Sequence, residues 1–240
     1  MKMRNTMQIA QRQVGPGYPV YVIAEIGSNH DSDLEKAKEL IKAARGAGAD
    51  AVKLQSFTAE GLLNPLRPDS DGKWVAHPAY PVIERLSVPE DWHEILFDFC
   101  ASIGVTFLSA PFDSGRAELL NEIGVPAFKL ASGELTNEPL LRQVASFGKP
   151  VILSTGAAYL EEVRRAVEVI LEEKNFEVAL LHCASLYPPQ YSDMNIKAMT
   201  TLAAEFGCPV GFSDHTPGNT VAVAAVSLGA SIIEKHITLD

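Results

Sequence analysis

Eight short apolar runs recur along the chain, most of them rich in Val, Ile, Leu and Phe: Tyr21–Gly27, Ala51–Phe57, Thr106–Phe112, Ala127–Ala131, Pro150–Thr155, Val178–Ser185, Val210–His215 and Ser231–Thr238. Each is read as a strand. Between most of them apolar positions return at helical spacing, as in Leu34–Ala47, Glu90–Ile103, Gly115–Ile123, Leu160–Glu172 and Thr220–Leu228. Strand–helix alternation predicts a parallel sheet covered by helices. Three connections repeat one punctuation: Ile123-Gly124-Val125-Pro126, Phe147-Gly148-Lys149-Pro150 and Phe206-Gly207-Cys208-Pro209. Glycine supplies the left-handed residue that ends a helix, and the proline after it keeps the helix from continuing. One unit used eight times predicts a (β/α)8 TIM barrel. The runner-up is a doubly wound open sheet, weakened because no Gly-x-Gly-x-x-Gly turn follows the first strand.

Residues 1–19 are expected to form an extension, a hairpin capping the barrel bottom, and residues 20–240 the barrel itself. Thr58 to Ser87 is long for a connection and carries Pro65, Pro68, Pro78 and Pro81. Such a segment is often a lid or binding loop. The sequence ends just after the eighth strand, so the barrel is expected to lack its eighth helix.

Side chains alternate across a strand. Val22, Ala24 and Ile26 therefore oppose Glu25, Val52 and Leu54 oppose Lys53 and Gln55, and Phe128 and Leu130 oppose Lys129. Val210 and Phe212 oppose Ser213 and His215, while Glu234 and His236 share a face. With the apolar set against the helices, the polar set points into the barrel near its C-terminal mouth, where barrel enzymes keep their sites.

Composition narrows the partners. At 240 residues and 47% hydrophobic, the chain can bury a core without disulfides or a structural metal. A formal net charge of −10 argues against nucleic acid and anionic membrane. A small anionic substrate, which responds to local charge, stays open. Cys100, Cys183 and Cys208 are odd in number and far apart, as reduced thiols in a cytoplasmic protein would be. No signal peptide or membrane span is expected.

Lys53 and Lys129 can converge on one phosphate or carboxylate, with Ser132 and Ser154 adding hydroxyls. The other reading makes each lysine half of a structural ion pair, since an unpaired inward charge is costly. Ser132 and Ser154 are equally readable as turn residues or helix caps. Lys129 differs in parity from Ser132 and Glu134, so the strand must end or bulge near Ala131 for all three to reach the mouth. His215 and His236, closing successive strands beside carboxylates, can give two nitrogen ligands to one divalent metal. Gln55 is expected to support a neighbour through a hydrogen bond. His182 reads as a satisfied core residue, Cys183 as inert packing, Asn29-His30 as a helix start, and Tyr187-Pro188-Pro189 as a rigid turn.

The motifs AEIGSNH, VKLQSF, SAPFD, FKLASGELTNEPLL, PVILSTG, LLHCASLYP, GFSDHT and EKHITLD occur in this order between Tyr21 and Asp240. Together they resemble the N-acetylneuraminate (sialic acid) synthase family. The resemblance implies a TIM barrel that condenses phosphoenolpyruvate with an N-acetylated hexosamine, usually N-acetylmannosamine. The product is a nine-carbon 2-keto sugar acid, and phosphate is released. It also implies a divalent metal, commonly manganese, and a homodimer. Matched motif by motif, His215 and His236 would be the metal ligands, and Glu25 the catalytic carboxylate. Lys53, Lys129, Ser132, Ser154 and Ser213 would hold phosphoenolpyruvate, while Gln55, Glu134, Tyr187 and Asp214 would shape the sugar site. Ser185 stands in the substrate-binding set where some members place asparagine. Ala110 replaces a frequent threonine, and Asp31-Ser32 a usual Asn-Gly. Ser132–Asn137 has the SGE-x-x-N form of the sialic and legionaminic branch. Family members continue into an eighth helix and an antifreeze-like domain that reaches the partner subunit's sugar site, so the resemblance covers the barrel domain alone. Two rival functions remain: another metal-dependent aldolase or isomerase, and a truncated barrel that binds phosphoenolpyruvate or a partner chain without turnover.

Overall fold

The computed structural model describes residues 3–239. The first two residues of the expected extension, and Asp240 of the last motif, lie outside the described residues. An antiparallel hairpin, β1 (Met7–Ile9) and β2 (Arg12–Val14), opens the chain. It is followed by β3 (Tyr21–Gly27), α1 (Leu34–Gly46) and β4 (Ala51–Ser56). The long proline-bearing segment is built rather than structureless: α2 (Ala59–Leu62), the antiparallel pair β5 (Leu66–Pro68) and β6 (Trp74–Ala76), then α3 (Tyr80–Leu86). The alternation resumes with α4 (Glu90–Ile103), β7 (Thr106–Pro111), α5 (Ser114–Glu122), β8 (Phe128–Leu130), α6 (Glu138–Ser146) and β9 (Val151–Ser154). It ends with α7 (Leu160–Glu172), β10 (Val178–Cys183), α8 (Ala198–Phe206), β11 (Val210–Asp214), α9 (Thr220–Ser227) and β12 (Ile232–His236).

Eight strands form one parallel sheet in the order β7-β4-β3-β12-β11-β10-β9-β8. Tyr21 lies opposite Ile232 and Glu25 opposite His236, so the first strand of the ring pairs with the last. β7 and β8 pack across the remaining seam, and the sheet is a nearly closed barrel. This sets the open doubly wound sheet aside. Local sequence explains the joints. Asp33 caps α1 by accepting from the Glu35 and Lys36 amides, and Asp113 caps α5 by accepting from Arg116. The three punctuating glycines, Gly124, Gly148 and Gly207, sit at φ of 85°, 68° and 62°, a region other residues avoid.

The two faces of the ring differ as strand alternation requires. Outward residues such as Ala24, Val52, Leu54, Phe128, Leu153 and Phe212 pack under the helices. Inward residues Tyr21, Ile23, Ala51, Leu108, Ile152, Leu181 and Ile232 form a separate cluster that Met7, Ile9 and Val14 of the hairpin join. Gly211 belongs to this inner layer for want of space: a Cβ there would lie 2.4 Å from the Ile232 carbonyl oxygen. The lower interior is therefore filled and apolar. Most of the next inward residues toward the strand ends are polar, among them Glu25, Lys53, Lys129, Ser154, Ser213 and Glu234, so the site has a dry floor and its charges interact strongly.

One polar chain lies outside the ring, under α4. Ser56 Oγ is 2.7 Å from His93 Nε2 and 2.6 Å from Ser109 Oγ. His93 Nδ1 faces the Pro89 and Glu90 carbonyls at 3.0 and 3.1 Å. Carbonyls only accept, so Nδ1 carries the proton and Nε2 accepts from Ser56. Burial lowers the His93 pKa, and burial lowers that of His30 as well. Both rings fold neutral, while the unfolded chain takes up protons below its ordinary pKa of 6.5. Stability is therefore present above that pH and falls as pH drops through it. The urea midpoint should decline between about pH 7 and pH 5. His93→Gln should flatten that decline; an equally steep one in the variant would disprove the assignment.

Candidate active site

At the C-terminal mouth the strand ends enclose a cavity of about 240 Å³. Glu25, Lys53, Gln55, Lys129, Ser132, Ser154, Ser185, Tyr187, Ser213, His215 and His236 line it, with Phe112, Cys183 and Glu234. Clefts of about 700 and 620 Å³ also exist, one between α7 and α8 and one at the barrel base, but no buried charged side chain lines either. Converging charge, not size, marks the mouth as the site.

Four charged side chains meet on the apolar floor, none more than 7% exposed. Lys53 Nζ lies 2.6 Å from Glu25 Oε2 and 3.9 Å from Glu234 Oε2. Lys129 Nζ lies 3.6 Å from Glu234 Oε1 and donates to Ser154 Oγ at 2.7 Å and to the Leu130 carbonyl at 3.2 Å. Gln55 Nε2 donates to Glu25 Oε1 at 2.9 Å, and Ser213 Oγ donates to Glu234 Oε1 at 2.8 Å. Two ammonium groups balance two carboxylates, as buried charge demands. Burial works against the charged form of Lys53, but Glu234 and then Glu25 outweigh it and raise its pKa. For Lys129 burial prevails over the attraction of Glu234, and Lys53 adds repulsion, so its pKa is lowered. Burial alone would raise the Glu234 carboxyl; Lys129, Lys53 and the Ser213 hydroxyl hold it below the usual carboxylate range.

Two expectations need correction: Asn29-His30 does not start α1, which Asp33 caps, and Asp214 does not line the cavity. Cys183 faces the cavity, and its Sγ lies 3.1 Å from Ser132 Oγ. Glu134 is not in the cavity lining. β8 ends at Leu130, and a 3-10 turn over Ser132–Glu134 swings Ser132 inward, while Glu134 accepts from Asn137 Nδ2 at 2.7 Å. Asp214 is absent from the lining too. It follows inward Ser213 and so faces out, where it takes the Lys235 ammonium at 2.8 Å and the Thr216 amide and hydroxyl at 2.9 and 2.7 Å. His182, also outward, meets the Met194 carbonyl through Nε2 at 2.9 Å. The residue that sequence reasoning missed is Glu234. Its signal was available: it shares a face with His236, and two inward lysines need more than one carboxylate.

Ser132 Oγ accepts from the Gly156 amide at 2.9 Å, and a Cβ on Gly156 would fall 2.5 Å from both Cys183 Sγ and Ser185 Oγ. Only glycine leaves the serine its place.

His215 and His236 stand side by side because β11 and β12 are parallel neighbours with Asp214 opposite Lys235. Their ring centres are 5.5 Å apart, and the Tyr187 ring lies 4.2 Å from His215. His215 Nδ1 donates to the Ala184 carbonyl at 3.0 Å, which leaves the Nε2 lone pair free. Two imidazoles bonding one ion at about 2.1 Å each have ring centres roughly 5 Å apart. The pair therefore fits a divalent metal. Among the described residues no group of three His, Cys, Asp or Glu gathers around one point.

The fold and site thus define a nearly closed parallel barrel with balanced buried charge and an imidazole pair at its mouth. The chain belongs to the NeuB family, which residues 40–240 match. It is 42% identical over 234 residues to the N,N'-diacetyllegionaminic acid synthase of Legionella pneumophila, covering 94% of this chain and 66% of that protein. It is 40% identical over 225 residues to a pseudaminic acid synthase of Campylobacter jejuni, covering 92% and 66%. The crystal structure of the N-acetylneuraminic acid synthetase of Leptospira borgpetersenii in complex with citrate superposes with a TM-score of 0.90 at 33% identity, over all of this chain and 80% of that one. The chain thus spans about 66% of the length of these two sequence relatives.

Proposed function

We propose that this chain carries the catalytic barrel of a phosphoenolpyruvate-dependent synthase. It would join phosphoenolpyruvate to an N-acetylmannosamine-like hexosamine, giving a nonulosonic acid and phosphate. The observation that carries this reading is the Lys53–Glu25–Glu234–Lys129 network beside the His215/His236 pair. Lys53 and Lys129 hold the phosphate and carboxylate of phosphoenolpyruvate, and the hydroxyls of Ser132 and Ser154 add donors. With the sugar aldehyde held against it, the methylene carbon of phosphoenolpyruvate forms the new C–C bond while the aldehyde π pair moves onto its oxygen, which takes a proton to become the product hydroxyl. Water adds at the phosphate-bearing carbon. Glu25, fixed by Gln55 and Lys53, takes that water's proton. C–O cleavage then releases phosphate and leaves the ketone. A divalent ion on His215 and His236, manganese in this proposal, supplies Lewis-acid catalysis at the sugar aldehyde when bound. Tyr187 and Ser185, at the outer rim, face the sugar side of the cavity.

The SGE-x-x-N form at Ser132–Asn137 favours the sialic and legionaminic branch; overall identity does not separate the branches, at 42% and 40%. We extend the proposal to a cytoplasmic homodimer. Cys100, Cys183 and Cys208 are buried and unpaired, as a reducing compartment leaves them. No helix of the described residues is long and apolar enough to cross a membrane.

The deciding experiment incubates the protein with phosphoenolpyruvate, manganese and a panel of hexosamines, with mass spectrometry and phosphate release as readouts. A nonulosonic acid mass with one phosphate released per product is expected. Calorimetric phosphoenolpyruvate binding with background turnover on every sugar would instead favour the non-catalytic barrel.

A further inference from the structure

β11 ends at Asp214, so His215 stands one residue beyond the last ladder position and no strand pairing holds it. Its two chain neighbours are held another way. Lys235 Nζ donates to Asp214 Oδ2 at 2.8 Å and to the Thr216 carbonyl at 2.7 Å. Asp214 Oδ1 closes the loop by accepting from the Thr216 amide and hydroxyl. One ammonium thus grips both flanks of His215, and it belongs to the residue immediately before His236. On the far flank of His236, the Ile237 amide donates to the Glu25 carbonyl at 2.9 Å, and Asn29 Nδ2 donates to the Ile237 carbonyl at 2.8 Å. The Asp214 side chain is wholly buried, the Lys235 side chain is 30% exposed, and neither lines the cavity.

We infer that the Asp214–Lys235 ion pair is a positioning device: it fixes the separation of the two imidazoles and thereby sets affinity for a divalent metal. This rests on the proposed metal role of His215 and His236. The chemistry is that of an outer partner holding a ligand in place, which is ordinarily worth about 10- to 100-fold in metal affinity. Because the pair lies behind the strands, it can act on a bound ion only through the imidazole backbone.

The test uses the full chain and three readouts: Mn²⁺ affinity from the spin-resonance signal of the free ion, phosphoenolpyruvate affinity without metal by calorimetry, and the urea midpoint. Lys235→Met should weaken Mn²⁺ binding about 10- to 100-fold while metal-free phosphoenolpyruvate affinity stays within about twofold. Lys235→Arg, which keeps the charge and reach, should bind Mn²⁺ nearly as the unaltered chain does. If Lys235→Met does not fold, Lys235→Gln gives the same comparison. The inference is overturned if the uncharged variant binds Mn²⁺ as tightly as the unaltered chain, or if phosphoenolpyruvate affinity falls in parallel, the mark of general loosening. Failure of the unaltered chain to bind Mn²⁺ would overturn the metal proposal itself, and this inference with it.

Discussion

Lys129→Met should cost the fold about 3 kcal/mol and weaken phosphoenolpyruvate binding about 100-fold, and the two losses should be separable. Lys129 is the ammonium nearest Glu234, at 3.6 Å, and both side chains are buried. Without it Lys53 alone faces two carboxylates, and an uncompensated buried charge typically costs about 3–5 kcal/mol. The lower end applies because Lys53, at 3.9 Å, still reaches Glu234. Affinity should fall about 100-fold, since removing one partner of a buried charge-assisted contact costs about 2–5 kcal/mol. Adding Glu234→Gln restores charge balance, one ammonium against one carboxylate. The double variant should therefore recover most of the lost stability and none of the affinity. Urea unfolding and calorimetry read the two quantities independently. Wild-type affinity in Lys129→Met would show that the lysine only neutralises Glu234 and does not hold the ligand.

The architecture was legible because its signals are local. Strand starts follow from apolar runs that begin after a glycine–proline punctuation, and the alternation with period two put Glu25, Lys53, Lys129, Ser213, His215 and His236 on the inner face. Strand ends were less legible, since nothing in the apolar pattern of Ala127–Ala131 says that the ladder stops at Leu130. The strand end at Leu130 and the 3-10 turn after it bring Ser132 into the cavity beside Lys129, although the two differ in strand parity. Asp214 is a different case. The parity that turns Ser213 and His215 inward turns Asp214 outward, so its sugar-site role came from resemblance against the geometry of its own strand. Cys183 shares the inward parity of Leu181, yet a thiol on an apolar strand reads as packing whichever way it faces. Glu234 required a sum rather than a pattern: charges that close to zero inside a dry ring. The segment between Thr58 and Ser87 was recognised as too long for a turn, but its helices and hairpin carry too few residues each for periodicity to register.

His215→Ala should produce the opposite split from Lys129→Met, with turnover lost while fold and anion binding survive. The ring contributes a contact with Tyr187 and one bond to the Ala184 carbonyl, both at the open mouth, so its removal exposes no buried charge. Asp214, Thr216 and Lys235 keep their mutual bonds, and the loop around the missing imidazole persists. The lysines on the cavity floor make no hydrogen bond or ion pair to His215, so metal-free phosphoenolpyruvate affinity should change by no more than about twofold, the scale on which residues without shared partners act independently. What disappears is one of the two nitrogen donors of the proposed metal site. Lewis-acid stabilisation is worth several kcal/mol, and each 1.36 kcal/mol is tenfold, so the metal-dependent rate should drop about 10³-fold or more. Phosphate release from phosphoenolpyruvate and N-acetylmannosamine across a manganese titration measures this directly. Unchanged, metal-responsive release in the variant would refute the assignment of His215. A response that needs far more manganese and still saturates at a rate lowered about 10³-fold would support it, because a ligand lost from an ion site lowers both its affinity and the stabilisation it supplies.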